Sequence, residues 1–239
     1  MEKIINYDNL RKFAYSNDKL IEGKIKGILL YFGGLNGFKM FDTDPANAIE
    51  YAEKGIVYVI PYYNPWCWMN TEAVSLTDEI LDVLFEHYSL DECTPICSSG
   101  GSMGGQCALT YCVYAKRTPA FCITNCPVCD LVYHYSERDD LPHTLYSAYS
   151  SFEGTIDEAL RAHSPLHLTD KLPKIDYTLF HCEKDQFVDI DAHSVKFVNE
   201  LSSKGFSARL VKVPHRKHCD LSPTALLEYD RVIFKGFGV

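Results

Sequence analysis

Apolar and polar positions fall into two kinds of block that take turns along the chain. Short apolar runs of strand length appear at 24–34 (KIKGILLYFGG), 56–63 (IVYVIPYY), 93–97 (CTPIC), 120–126 (AFCITNC), 176–182 (DYTLFHC) and 208–213 (ARLVKV). Between them lie segments with helical periodicity. Residues 44–55 (DPANAIEYAEKG) begin at Asp-Pro, carry Ala46, Ile49 and Ala52 on one face, and stop at glycine. Residues 71–88 place Val74, Ile80, Leu81 and Leu84 on one broad face. Further helices are predicted over 191–205 and 222–237. Strands that alternate with helices predict an α/β fold with a mainly parallel, doubly wound sheet and helices on both faces. The rhythm breaks only at about 127–170, a stretch rich in Tyr, His, Ser and acids, which reads as a small helical cap. With no internal repeat and no low-complexity linker, residues 1–239 are expected to form one domain.

In such a sheet, functional loops lie at the carboxyl ends of the strands. The stretch at 93–112, CTPICSSGGSMGGQCALTYC, crowds glycines around one serine where a strand meets a helix. A Walker-type phosphate loop needs Lys then Ser or Thr after its last glycine, but Gly105 is followed by Gln106 and Cys107. A Gly-x-Gly-x-x-Gly dinucleotide turn does not fit the spacing either. Gly100, Ser102 and Gly104 do fit Gly-x-Ser-x-Gly, in which small residues two before and two after a serine relieve the clash between strand and helix. The rival reading is a tight turn that needs glycine for shape alone.

A serine hydroxyl is a poor nucleophile at neutral pH and needs a base, which in turn needs an orienting acid. At such an elbow the chain order is Ser, acid, His. Downstream, HCEKDQFVD (181–189) offers Asp185, with Asp189 and Glu183 as rivals; Asp189 stands where an N-cap residue would. PHRKHCD (214–220) offers His218, with His215 as the rival nearer the strand. The oxyanion hole is expected from the N–H of Met103 and of Gly34 or Leu35 in the first glycine-rich loop. The aromatic run at 61–70 (PYYNPWCWMN) suggests Tyr63, Trp66 and Trp68 as substrate walls; the alternative is that these rings pack the cap on the core.

Charge and cysteine narrow the classes. Lys and Arg number 23 against 32 Asp and Glu, a formal charge of −9, which argues against nucleic acid or an anionic membrane as partner. The N-terminus lacks the apolar core of a secretory signal and no run is long enough to span a membrane, so a cytoplasmic location is expected. Ten cysteines without such a signal read as small hydrophobes, including the Cys126–Cys129 CxxC pair, whose nearest extra metal ligand is His134.

FGGLNG, GGSMGG, EKDQFV and HRKHCD, with HSPLHLTDKLPKI before the acid strand, resemble the α/β-hydrolase superfamily, in its small esterase and prolyl-oligopeptidase-like branch, also dienelactone-hydrolase-like. The resemblance spans nearly the whole chain. It implies an eight-stranded core short of its first strands, and a serine hydrolase that needs no metal or cofactor. The His-Gly opening of many esterase oxyanion loops is here FGG, and the chain is too short for the propeller that gates oligopeptidases. The expected function is a carboxylic ester hydrolase that cleaves small or aromatic acyl esters through Ser102, His218 and Asp185. Its partner is a small-molecule ester, and a homo-oligomer is compatible with the sequence. The alternatives are a peptidase on short peptides and a catalytically silent binding protein.

Overall fold

The computed structural model describes residues 4–37 and 39–239. Seven strands form one sheet: β1 (Ala14–Ser16), β2 (Gly27–Phe32), β3 (Ile56–Pro61), β4 (Ile96–Gly101), β5 (Phe121–Asn125), β6 (Asp176–Cys182) and β7 (Ala208–Val213). Their spatial order is β1-β3-β2-β4-β5-β6-β7. Every pair is parallel except β1 with β3, which runs antiparallel from Ala14 opposite Pro61 to Ser16 opposite Val59. β1 is absent from the sequence reading, because three residues are too few to establish a period.

Alternation along the strands splits the core into two layers. On β2, Ile28, Leu30 and Phe32 face one side, where Ile80, Leu81 and Leu84 of α2 (Thr71–His87) and Leu109 of α3 (Met103–Tyr114) pack. Leu29 faces the other side, against Ala48 and Tyr51 of α1 (Ala46–Glu53) and Tyr229 and Ile233 of α8 (Pro223–Phe237). A fully buried aliphatic side chain contributes about 1.5–3 kcal/mol, so either layer alone outweighs any single polar contact described below. This is the α/β-hydrolase fold, with helices on both faces of the sheet as expected.

The stretch between β5 and β6 holds three short helices: α4 (Leu131–His134), α5 (Leu141–Ala148) and α6 (Ile156–His163). Gln106, buried in α3, fastens this cap: its amide donates to the carbonyl of His163 at 2.8 Å and to Thr110 Oγ1 at 2.9 Å. The predicted helix over 191–205 is α7 (Lys196–Ser203) preceded by one wider π-type turn, Asp191–Val195. That turn widens where side chains demand it. His193 turns toward the cap, and Ser194 hydrogen-bonds a buried histidine of β6.

The order of strands reverses around β2, with β3 on one side and β4 on the other. The crevice at the carboxyl ends of β2 and β4 is therefore the natural place for a ligand.

Candidate active site

Ser102 sits between β4 and α3 with φ 58° and ψ −127°, a left-handed backbone that costs a non-glycine residue energy. Its N–H donates to the Asn125 carbonyl of β5 at 3.0 Å, and its carbonyl accepts from Gly105 and Gln106 at 3.0 and 3.2 Å. The two motif glycines are needed for close approach. A Cβ on Gly100 would stand 2.3 Å from the Gly104 carbonyl oxygen, and one on Gly104 would stand 2.0 Å from that of Phe32. Strand and helix can cross this tightly only with both side chains absent.

The structure brings Ser102, His218 and Asp185 together. His218 Nδ1–H donates to Asp185 Oδ2 at 2.6 Å, which leaves the Nε2 lone pair to accept from Ser102 Oγ at 2.9 Å. Asp185 follows β6, and its Oδ1 accepts the N–H groups of Phe187 and Val188 at 2.9 and 3.1 Å. His218 follows β7 in a loop bonded to the acid's own loop, through the Lys184 N–H and the Arg216 carbonyl at 2.9 Å. The rivals lie elsewhere. Asp189 Oδ1 accepts the Ala192 N–H at 2.8 Å, an N-cap-like role, while Glu183 and His215 are exposed.

Electrostatics follow from these contacts. Burial would raise the Asp185 carboxyl, but hydrogen bonds from His181 and His218 hold it well below the usual carboxylate range. Burial would lower His218, but the Asp185 bond and charge, with Cys126 nearby, push it up to about 9. His181, buried in β6, is a supporting residue that the sequence did not reveal. Its Nε2–H donates to the Val188 carbonyl at 3.1 Å and stands 3.4 Å from Asp185 Oδ2, while its Nδ1 accepts from Ser194 Oγ at 2.7 Å.

Met103 opens α3, next to Ser102, so its N–H has no acceptor within the helix. Gly34 lies against the elbow: a Cβ built there would be 3.7 Å from Ser102 Cβ. Leu35 is half-buried against the core. The Gly37 N–H donates to the Gly34 carbonyl at 3.0 Å, closing a turn that turns this oxygen back into the loop.

The aromatic residues divide. Tyr63 donates to the Gly33 carbonyl at 3.1 Å and, with Gly33, Gly37, Phe41 and Tyr62, lines a cavity of about 270 Å³ beside the glycine loop. Trp66 is half-buried, with its indole N–H on Asn36 Oδ1 at 2.6 Å and its ring edge-on to His143 of the cap. Trp68 is no substrate wall. It is 1% exposed, its indole N–H is spent on Thr144 Oγ1 at 3.0 Å, and its carbonyl accepts from Tyr149 of the cap at 2.8 Å. A large apolar ring beside a forming cap gains more from burial than from solvent, so Trp68 packs cap on core. Phe187, 49% exposed and edge-on to the His218 ring at 5.5 Å, is an exposed aromatic beside the base that the sequence did not single out.

All ten cysteines are free, Cys126 and Cys129 among them. Among the described residues no helix is long and apolar enough to cross a membrane.

The model of the prolyl oligopeptidase family matches residues 78–233, which contain all three triad positions. No curated protein sequence matches the chain. Among solved structures, a Mycobacterium tuberculosis puromycin-hydrolyzing peptidase superposes with a TM-score of 0.76 at 15% identity, over 91% of this chain and 34% of that one. Thermogutta terrifontis esterase 2 gives 0.61 at 18% identity, over 94% of this chain and 85% of that one. Esterase B from Lactobacillus rhamnosis gives 0.67 at 12% identity, over 91% and 77%. The chain thus spans about a third of the length of the peptidase and most of the length of the esterases. At such identities the structural likeness is one of fold, and the family rests on the sequence match across most of the chain: the protein belongs to the prolyl oligopeptidase family of serine hydrolases.

Proposed function

We propose that the protein is a serine carboxylesterase that cleaves small or aromatic acyl esters. The observation that carries the reading is the unbroken hydrogen-bonded line from Ser102 through His218 to Asp185. In this mechanism His218 takes the Ser102 proton as the oxygen attacks the acyl carbonyl. The N–H groups of Met103 and of Gly34 or Leu35 hold the oxyanion. His218⁺ then protonates the departing alcohol, and water repeats the attack on the acyl-enzyme. The cavity of about 270 Å³ beside Gly33 and Tyr63 supports a small acyl group. It falls below the ~300–1,000 Å³ of pockets that hold drug-sized ligands. In this reading the partner is a small-molecule ester in the cytoplasm.

A second reading, a peptidase on short peptides, is favoured by the family match itself. The two share the triad and part at the leaving group. Intact mass after fluorophosphonate treatment tests the shared step: one adduct is expected on the wild type and none on Ser102→Ala. Paired substrates with the same acyl group, one an ester and one an amide, then separate the readings. Turnover of the amide at a rate comparable to the ester would favour the peptidase. An unlabelled, folded wild type would make the protein a silent member of its fold.

A further inference from the structure

The triad histidine has neighbours that hydrolysis does not use. Cys126 follows β5, Cys219 follows His218, and both have left-handed backbones, with φ of 47° and 54°. Cys219 Sγ lies 3.7 Å from His218 Nε2. The ligand atoms of Cys126, His218 and Cys219 all lie within 4.8 Å of one another. Tetrahedral legs of ~2.3 Å to sulfur and ~2.0 Å to nitrogen place S and N about 3.6 Å apart, and two sulfurs about 3.8 Å apart. The cluster therefore needs little movement to close on one ion.

We propose that Cys126, Cys219 and His218 form a binding site for a soft divalent metal, zinc or cadmium, and that the ion switches the enzyme off. Three features of the site support this beyond proximity. First, the histidine is already oriented. Its Nδ1–H donates to Asp185 at 2.6 Å, which leaves Nε2 as the nitrogen that faces an ion, and displacing the Nε2 proton completes a carboxylate–histidine–metal line. Second, the Cys126 sulfur is held in position by backbone N–H groups from Cys182 at 3.3 Å and Cys219 at 3.4 Å. Third, a thiolate–thiolate–imidazole donor set is the one zinc prefers, and with two thiolates the bound site is neutral.

Two further clusters among the described residues fail the same test. In the first, Cys126, His181 and Asp185, both ring nitrogens of His181 are engaged, Nε2–H by the Val188 carbonyl and Nδ1 by Ser194 Oγ. The second is His134, Glu137 and His193. His193 Nδ1 accepts the N–H groups of Cys129 and Asp130 at 3.1 Å each, so its Nε2 carries the proton and donates it to Glu137 at 2.9 Å. No lone pair is left on His193 for a metal.

Binding releases two thiol protons and, where the ring is charged, the Nε2 proton of His218 to solvent, and Ser102 Oγ or a water takes the fourth position. The ion then occupies the lone pair with which His218 would accept the Ser102 proton. Loss of turnover rests on the hydrolase reading; binding of the ion does not.

The test uses reduced protein carrying Cys93→Ser, which removes the one exposed thiol. Cadmium is titrated in while the ultraviolet thiolate-to-cadmium band and the rate of fluorophosphonate labelling at Ser102 are followed. The expected result is one cadmium per chain, with labelling lost in step with the band and both effects reversed by a chelator. Zinc should compete for the same site. Cys219→Ser, labelled like its parent without metal, should weaken binding by more than the ~10–100-fold that loss of an outer-shell partner costs. An unchanged band in Cys219→Ser, or full labelling at saturating cadmium, would overturn the proposal. If the metal-free protein takes no label, the hydrolase reading falls, and the band alone decides the site.

Discussion

Asp185 accepts three hydrogen bonds on its two oxygens, from two backbone N–H groups and His218, and has His181 Nε2 3.4 Å from Oδ2. Such a carboxylate does more to fix His218 than to neutralise it. Asp185→Asn should keep the fold, as read by circular dichroism, and lower kcat by on the order of 10⁴-fold, because the amide favours the wrong tautomer of the base. His218, pushed up to about 9, is largely protonated at neutral pH in the free enzyme. kcat/KM should therefore rise with pH from 7 toward 9; a profile flat above pH 7 would contradict the assignment. The charged His218–Asp185 pair contributes stability that is present below the ordinary histidine pKa and is lost as pH rises through about 9. His181 acts through Asp185, as a positioning residue. His181→Ala should lower kcat more than it raises KM and move the rise between pH 7 and 9, whereas a purely structural loss would leave that rise in place. These residues were unequally legible. Glycine spacing and strand-end order point to Ser102, Asp185 and His218. A histidine inside a strand reads the same whether it fills the core or braces an acid, so His181 leaves no mark in the sequence. Trp68 misleads for a related reason, since an aromatic after a strand signals burial as readily as a binding wall.

Among the elements, the alternating pattern marks the longer strands and helices well, and it marks the short and irregular ones poorly. β1, with three residues, is defined only by its pairing to β3, and the π-type turn before α7 only by the tertiary partners of His193 and Ser194. The cap shows in composition but not in its attachments. Glu137, just after α4, takes hydrogen bonds from His134, His193 and the Asp189 N–H, and so ties the cap to the segment that follows Asp185. Burial would raise its carboxyl, but the two histidines bring it down to about 2. Glu137→Ala should cost about 1–3 kcal/mol, because it strands buried donors. Denaturant melts would measure the loss, and hydrogen exchange should show it concentrated in α4 and the turn at 191–195. No change in either would mean that the apolar contacts of Leu131, Leu141 and Leu145, with the Gln106 and Trp68 bonds, hold the cap without it.

For the molecule as a whole, the carboxylates set the acid limit. Asp185 and Glu137 are shifted down furthest, and Asp18 is lowered as well by Ser16, Tyr7 and Tyr88. Their contribution is full above the ordinary carboxylate range and is lost as pH falls below it. Asp78 and Asp230, raised by burial, act in the opposite sense. The melting temperature should therefore fall steeply below about pH 4, and less steeply in Glu137→Ala. The bond between Lys184 and Arg216 has a mechanical consequence as well. It staples the acid's loop to the base's loop across the β6–β7 edge, and Asn125 of β5, whose carbonyl takes the Ser102 N–H, also donates through its amide to the Cys219 carbonyl at 3.2 Å. Acid, base and nucleophile are thus tied to one another by backbone and amide contacts outside the triad itself, so the three should drift as one body when the sheet breathes, and the order of the catalytic line outlasts motion of the sheet's edge.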